Sequence, residues 1–141
     1  MRLIGAGQRC LELACQRVED RETFGKKLSQ HQSIRENIAK SYAELEMARL
    51  LVHKTCWHID HRGVKPSIEL ISATKISVPL MIQAIIDRCM QMHGAGGLTE
   101  DWCMAEQFNY ARWCRQADGP DEVHQMALGK RIIQQYAEAS K

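Results

Sequence analysis

The sequence lacks the devices that stiffen or staple a chain from outside. It has only three prolines, no C-x-x-C pair among its six cysteines, and no charged-then-apolar leader at the N-terminus. Cys10, Cys15, Cys56, Cys89, Cys103 and Cys114 therefore read as free thiols of a reducing compartment, and a disulfide scaffold is not expected. Net charge is small, +2 from 19 basic and 17 acidic residues of interleaved sign, which leaves no basic face for nucleic acid. No run of about 18 uninterrupted apolar residues exists. Even Ile82 to Met92 contains Gln83, Asp87, Arg88 and Gln91, so no transmembrane segment is expected and the protein reads as soluble. Aromatics make up 6%, and Trp57, Trp102 and Trp113 read as packing residues, because a base-stacking platform needs a basic groove.

What is present is helical periodicity. Ile34, Ile38, Tyr42, Leu45, Ala48, Val52, Cys56 and Ile59 recur at steps of three or four, which predicts an amphipathic helix over about 31–61. Gly63 suits a left-handed cap at its end, and Pro66 is placed to open the next helix after a tight turn. That helix, about 66–93, carries Ile68, Ile71, Ile76, Leu80, Ile82, Ile85, Ile86, Cys89 and Met92 on a stripe wide enough for a central position. Pro79 inside it predicts a kink or a loosened turn, since proline removes a donor and crowds the carbonyl four residues back. Gly94-Ala95-Gly96-Gly97 ends it. Helices near 2–18, 101–112 and 120–138 complete the pattern. For the last, Pro120 fits the first helical position, Asp121 and Glu122 complement the helix dipole, and Val123, Met126, Ala127, Ile132, Ile133 and Tyr136 are the expected buried side. Met81, Met90, Met92 and Met104 read as core filler. The class is all-α, an up-down bundle forming one domain over 1–141. The abrupt entry into a helix at Met1 leads us to expect a piece of a longer chain or a short isoform.

Three segments exceed what a bundle needs: Arg21-Glu22-Thr23-Phe24-Gly25-Lys26-Lys27-Leu28 followed by His31-Gln32, then Gln91-Met92-His93-Gly94-Ala95-Gly96-Gly97, and Asp118-Gly119-Pro120-Asp121-Glu122. Each falls at a helix end, where glycines free backbone amides and an arginine offers a planar donor fork to phosphate or carboxylate. Together they suit an anionic cofactor. Plainer readings stand beside this: chain reversal for residues 94–97, an ordinary loop charge for Arg21, and an N-cap for Asp118 that accepts from the amide of residue 121. Metal is not expected. His58 with His61 and Cys89 with His93 have ligand spacing but no third ligand nearby. No glutamate is followed three residues later by histidine, which excludes the ferritin-like di-iron class.

In order and spacing, these segments resemble the C-terminal helical domain of the acyl-CoA dehydrogenases. The family's Arg-x-x-Phe-Gly-x-x-Leu with its following glutamine appears as Arg21, Phe24, Gly25, Leu28 and Gln32, and its Gln-x-x-Gly-Gly-x-Gly as Gln91, Gly94, Ala95 and Gly97. Its Glu-Gly-Thr falls on Asp118-Gly119-Pro120. The Asp-Gly-Pro-Asp-Glu-Val-His form is most similar to the large vertebrate members fused to a kinase-like domain. The resemblance implies an FAD-dependent oxidation of acyl-CoA to trans-2-enoyl-CoA in fatty-acid β-oxidation, with electrons passed to an electron-transfer flavoprotein. It implies Asp118 as the catalytic carboxylate and Gly119 against the acyl-CoA. It places Arg21 at the FAD pyrophosphate and Phe24 near the adenosine half. Gln32, Gln91, Met92, His93, Gly94, Ala95, Pro120, Asp121 and Glu122 complete the implied cofactor contacts. In this family such contacts reach the neighbouring subunit's FAD, so a homo-dimer or tetramer is implied.

The sequence departs from the family at four of these places. Asp118 stands for a longer glutamate, Ala95 for glycine, Pro120 for threonine and Glu122 for an amide. Some relatives carry the base upstream, at a place that would precede Met1. The 141 residues alone are expected neither to retain FAD nor to dehydrogenate acyl-CoA. A non-catalytic helical interaction or oligomerisation module that kept the fold is the alternative. The compartment stays open between mitochondrial matrix and peroxisome, as Ala139-Ser140-Lys141 lacks the leucine of the Ser-Lys-Leu address.

Overall fold

Apolar residues spaced three and four apart produce five helices: α1 (Arg2–Asp20), α2 (Gln32–Arg62), α3 (Ile68–His93), α4 (Met104–Cys114) and α5 (Asp121–Ala139). The computed structural model describes residues 1–140; Lys141, the last residue of the expected domain and of the Ala-Ser-Lys ending, lies outside the described residues. The all-α class holds. A two-stranded hairpin is added between α1 and α2, with Glu22 paired to Lys27 and Thr23 to Lys26. No strand was expected there because two residues a side carry no periodicity to read.

α3 is the central helix and packs against the other four. Ile82, Ile85, Ile86 and Cys89 on α3 form the core with Ile4, Cys10 and Ala14 of α1, Leu45 and Ala48 of α2, and Met104 and Ala111 of α4. Gly7 lets α1 approach closely: a Cβ there would stand 3.0 Å from Ile82 Cδ1. Polar ties lock α2 to α3. Arg88 donates to Ser41 Oγ at 2.9 Å and pairs with Glu44, while Thr55 and Thr74 share a 2.7 Å hydroxyl contact. By length and composition the segment 65–98 would suffice to cross a membrane, although polar residues interrupt its apolar run. The fold uses it as the bundle's centre, where apolar residues on several sides meet other helices.

Gly63 (φ 84°) and Gly94 (φ 62°) end α2 and α3 in the positive-φ region that glycine tolerates. α3 runs unbroken through Pro79. Pro66 lies in a short 3-10 turn, Lys65–Ser67, before the helix starts at Ile68. Pro120 is the N-cap of α5 in extended conformation (ψ 160°), not its first helical residue.

α5 departs most from its sequence pattern. The periodicity predicts a buried apolar stripe, yet Met126 and Ile133 are each 71% exposed and Tyr136 73%, with Val123, Ala127 and Ile132 also exposed. Asp121 is its buried residue instead. On α2, Tyr42 and Cys56 face outward and Ser41 and Thr55 take the inner positions. Leu80 of α3 is exposed. Trp57 and Trp113 are exposed too, Trp57 stacking on His61 and Trp113 on Tyr110, and only Trp102 packs against the core. Of the methionines, Met92 and Met104 are buried and Met81 and Met90 pack against the core, as filler does.

Candidate functional site

The flagged segments gather at two places rather than one. The first lies where α1 ends and α3 ends. α1 stops at Arg21, whose N–H donates to Arg17 O (3.0 Å) and whose carbonyl accepts from Leu28 N (2.8 Å), closing the hairpin. The hairpin turns on Phe24 (φ 52°) and Gly25 (φ 75°), two consecutive positive-φ residues that match the twist of paired strands. Across from it, α3 gives way to a 3-10 turn, Gly94–Leu98. The turn presses against α3: a Cβ on Gly97 would stand 2.7 Å from Met90 O. Between them a cleft of about 460 Å³ is lined by Arg17, Arg21, Thr23, Leu28 and the run Gln91 to Gly96.

This cleft brings Arg21 together with Gln91, Met92, His93, Gly94 and Ala95, which lie 70 to 74 positions further along the chain. Its lining has two arginines and no carboxylate. Two buried polar atoms in it have no partner, Arg17 Nε and His93 Nε2. His93 is 5% exposed; its Nδ1 donates to Cys89 O at 2.9 Å, and its ring meets Trp102 edge-on with centroids 4.8 Å apart. Burial, with Arg17 nearby, pushes its pKa below the ordinary value, so the neutral ring offers a free lone pair at Nε2. A cationic cleft with unmet donor and acceptor groups fits the diphosphate and sugar of a dinucleotide. Phe24 is 98% exposed at the hairpin tip, and Gln32 is exposed on α2, where it donates to Glu36; neither lines the cleft.

The second place is a pocket of about 310 Å³ walled by Leu3, Val52, Val78, Pro79, Tyr110 and Trp113, with Lys75 and Asp118 in its lining. Asp118 is exposed, in the left-handed region (φ 57°) that Asp tolerates better than most side chains, and Gly119 follows at φ 97°. The loop is strapped down. Lys75 Nζ donates to Cys114 O (2.7 Å) and Gly119 O (3.1 Å), and His124 Nε2 donates to Asp118 O (3.1 Å). Asp118 does not cap α5, whose N-terminus has no side-chain cap, and the Asp121 amide bonds Arg115 O instead.

Asp121 points inward. It is 5% exposed, Arg115 Nε donates to its Oδ2 at 2.7 Å, and Arg115 also reaches Gln83 Oε1 at 3.2 Å. Pro120 and Glu122 are exposed beside it. Sequence reasoning missed Arg17, Lys75 and Arg115. Arg17 had a signal, since it lies one helical turn before the α1 C-cap Arg21; Lys75 had none, because its partners lie 39 and 44 positions away.

The sequence pattern of the acyl-CoA dehydrogenase C-terminal domain matches residues 1–133. Acyl-CoA dehydrogenase family member 10 of Mus musculus is 45% identical over 92% of this chain, which covers 12% of that protein. A Mycobacterium abscessus structure assigned to the acyl-CoA dehydrogenases superposes with TM-score 0.94 at 40% identity, over 96% of this chain and 33% of that one. A Mycobacterium smegmatis glutaryl-CoA dehydrogenase in complex with FADH2 gives TM-score 0.86 at 28% identity, over 92% of this chain and 33% of that one. The chain belongs to the acyl-CoA dehydrogenase family as its C-terminal helical domain. It spans 16% and 17% of the length of curated plant and bird relatives.

Proposed function

We propose that the chain is the C-terminal domain of an FAD-dependent acyl-CoA dehydrogenase that converts acyl-CoA to trans-2-enoyl-CoA in fatty-acid β-oxidation. The observation that carries this is Asp118 in the lining of a pocket that mixes apolar side chains with Arg2, Thr74 and Lys75, on a loop strapped by Lys75. Asp118 would take the α proton of a thioester whose chain enters the pocket, and Gly119 would lie against the acyl-CoA. Because Asp118 is exposed here, the desolvation that raises a carboxylate's basicity would come from what covers it. When bound, FAD would supply the acceptor for the hydride leaving the β carbon. Arg21 and the run Gln91 to Ala95 would hold its diphosphate half, with Phe24, Gln32, Pro120 and Glu122 as outer contacts. Asp121, paired to Arg115, would shape the loop from inside.

Lys75 and Gln91 lie 16 residues apart on α3, about 24 Å at the helical rise. That distance supports a reading in which the carboxylate and the arginine cleft of one chain serve different copies of the cofactor, as in a homo-dimer or tetramer. The exposed apolar stripe of α5 also favours assembly. By itself the domain would neither retain FAD nor turn over acyl-CoA. Its electron acceptor would be an electron-transfer flavoprotein, in the mitochondrial matrix or the peroxisome. In the longer enzyme carrying this domain, Asp118→Asn should abolish turnover while flavin content is unchanged. Unaltered activity would instead favour the non-catalytic interaction module.

A further inference from the structure

Arg17 and Arg21 sit one turn apart at the end of α1 and line the same cleft. Their like charges repel, and no salt bridge joins either to a carboxylate among the described residues. The negative end of the helix dipole accounts for a cation near this terminus. It does not account for a buried Arg17 Nε–H left without an acceptor, because such a group costs free energy that a solvated arginine avoids. Facing it from the end of α3 is His93, also buried and also with a free ring nitrogen. The hydrogen bond from Nδ1 to Cys89 O defines that nitrogen, Nε2, as an acceptor in the neutral ring. The cleft thus holds one orphaned cationic donor and one orphaned acceptor on opposite walls.

We propose that Arg17 is a second cationic ligand of the anion bound by Arg21, the two forming a clamp for the diphosphate of a nucleotide, with His93 Nε2 accepting from a sugar hydroxyl of the same ligand. This rests on the reading of the cleft as a dinucleotide site; it adds Arg17 from outside the segments that suggested that reading and gives His93 a defined atom and role. Arg17 in the last turn of α1 and Arg21 at its C-cap both line the cleft, and two guanidinium forks offer the successive phosphoryl oxygens of a diphosphate more donors than a single charge does.

The test is a titration of this chain with inorganic pyrophosphate and, separately, with ADP, followed through the arginine Nε–H resonances in proton–nitrogen correlation spectra. Arg17 and Arg21 should shift together with one dissociation constant, and Arg17→Gln and Arg21→Gln should each weaken binding about tenfold. ADP should bind more tightly than pyrophosphate, and His93→Phe should remove that preference. Should Arg21 alone shift, or Arg17→Gln bind as well as the unsubstituted chain, the clamp is refuted while the Arg21 site stands. Absence of any shift with either probe refutes the clamp as well. Flavin content of an Arg21→Ala variant of the longer enzyme then gauges the cofactor reading independently. Equal affinity for the two probes refutes the sugar contact of His93.

Discussion

The ammonium group of Lys75, in the middle of the chain, holds the carbonyl of Gly119 at 3.1 Å and so fixes the residue next to Asp118 to the central helix. Its second bond, 2.7 Å to Cys114 O, ties the end of α4 to the same point. Lys75→Met keeps the stem and removes both bonds, leaving two carbonyls without their charged donor. A loss of about 2 kcal/mol of stability is expected, read by urea denaturation, with amide exchange accelerating in residues 115–120.

Gly97 and Gly129 make a matched pair. At Gly97 a Cβ meets the Met90 carbonyl and Cα at 2.7 and 2.9 Å, so Ala forces backbone apart; at Gly129, within α5, nothing lies within 4 Å. Gly97→Ala should destabilise by roughly 1–3 kcal/mol through overpacking. Gly129→Ala should stabilise by about 0.8 kcal/mol through helix propensity. Shifts of opposite sign in the denaturation midpoint check both.

Burial, followed by the charge of Arg17, lowers the pKa of His93 from 6.5 in the folded chain. The unfolded chain therefore binds more protons below pH 6.5, and stability gained from His93 is complete above that value and lost as pH falls toward the folded pKa. Denaturation midpoints measured from pH 8 to pH 5 should decline below 6.5, and His93→Phe should flatten that decline.

Thiol reactivity should be sharply graded. Burial pushes Cys10 and Cys89 up to about 12, with the neighbouring thiol of Cys103 adding to the effect at Cys10, while Cys56 is exposed. Since the thiolate is the reacting form, iodoacetamide at pH 8 should label Cys56 first. Cys10 and Cys89 should react only after unfolding, as peptide mass spectrometry would show.

In the proposed longer enzyme, Arg21→Ala should lower flavin content, because it removes a donor fork from the lining of the cleft. Flavin absorbance per protein, compared with the Asp118→Asn variant that should keep its cofactor, separates binding from chemistry.

Helix identity and helix ends were legible in the sequence because their causes are local. A period near 3.6 marks an amphipathic face wherever it occurs, and Gly63 and Gly94 stop their helices through their own backbone freedom. The resemblance in the Arg21, Gln91 and Asp118 segments was legible for the same reason, being carried by short spacings. What periodicity cannot say is which apolar face finds a partner. The stripe through Met126, Ile133 and Tyr136 is as regular as that of α3, yet among the described residues nothing covers it. The inward turn of Asp121, the strap from Lys75 and the meeting of Arg17 with His93 join residues separated by up to 76 positions or depend on one backbone angle. Only the packing of α1, α3, α4 and α5 decided them, since a hydrogen bond or a cleft exists only once two distant elements are brought within a few ångströms of each other.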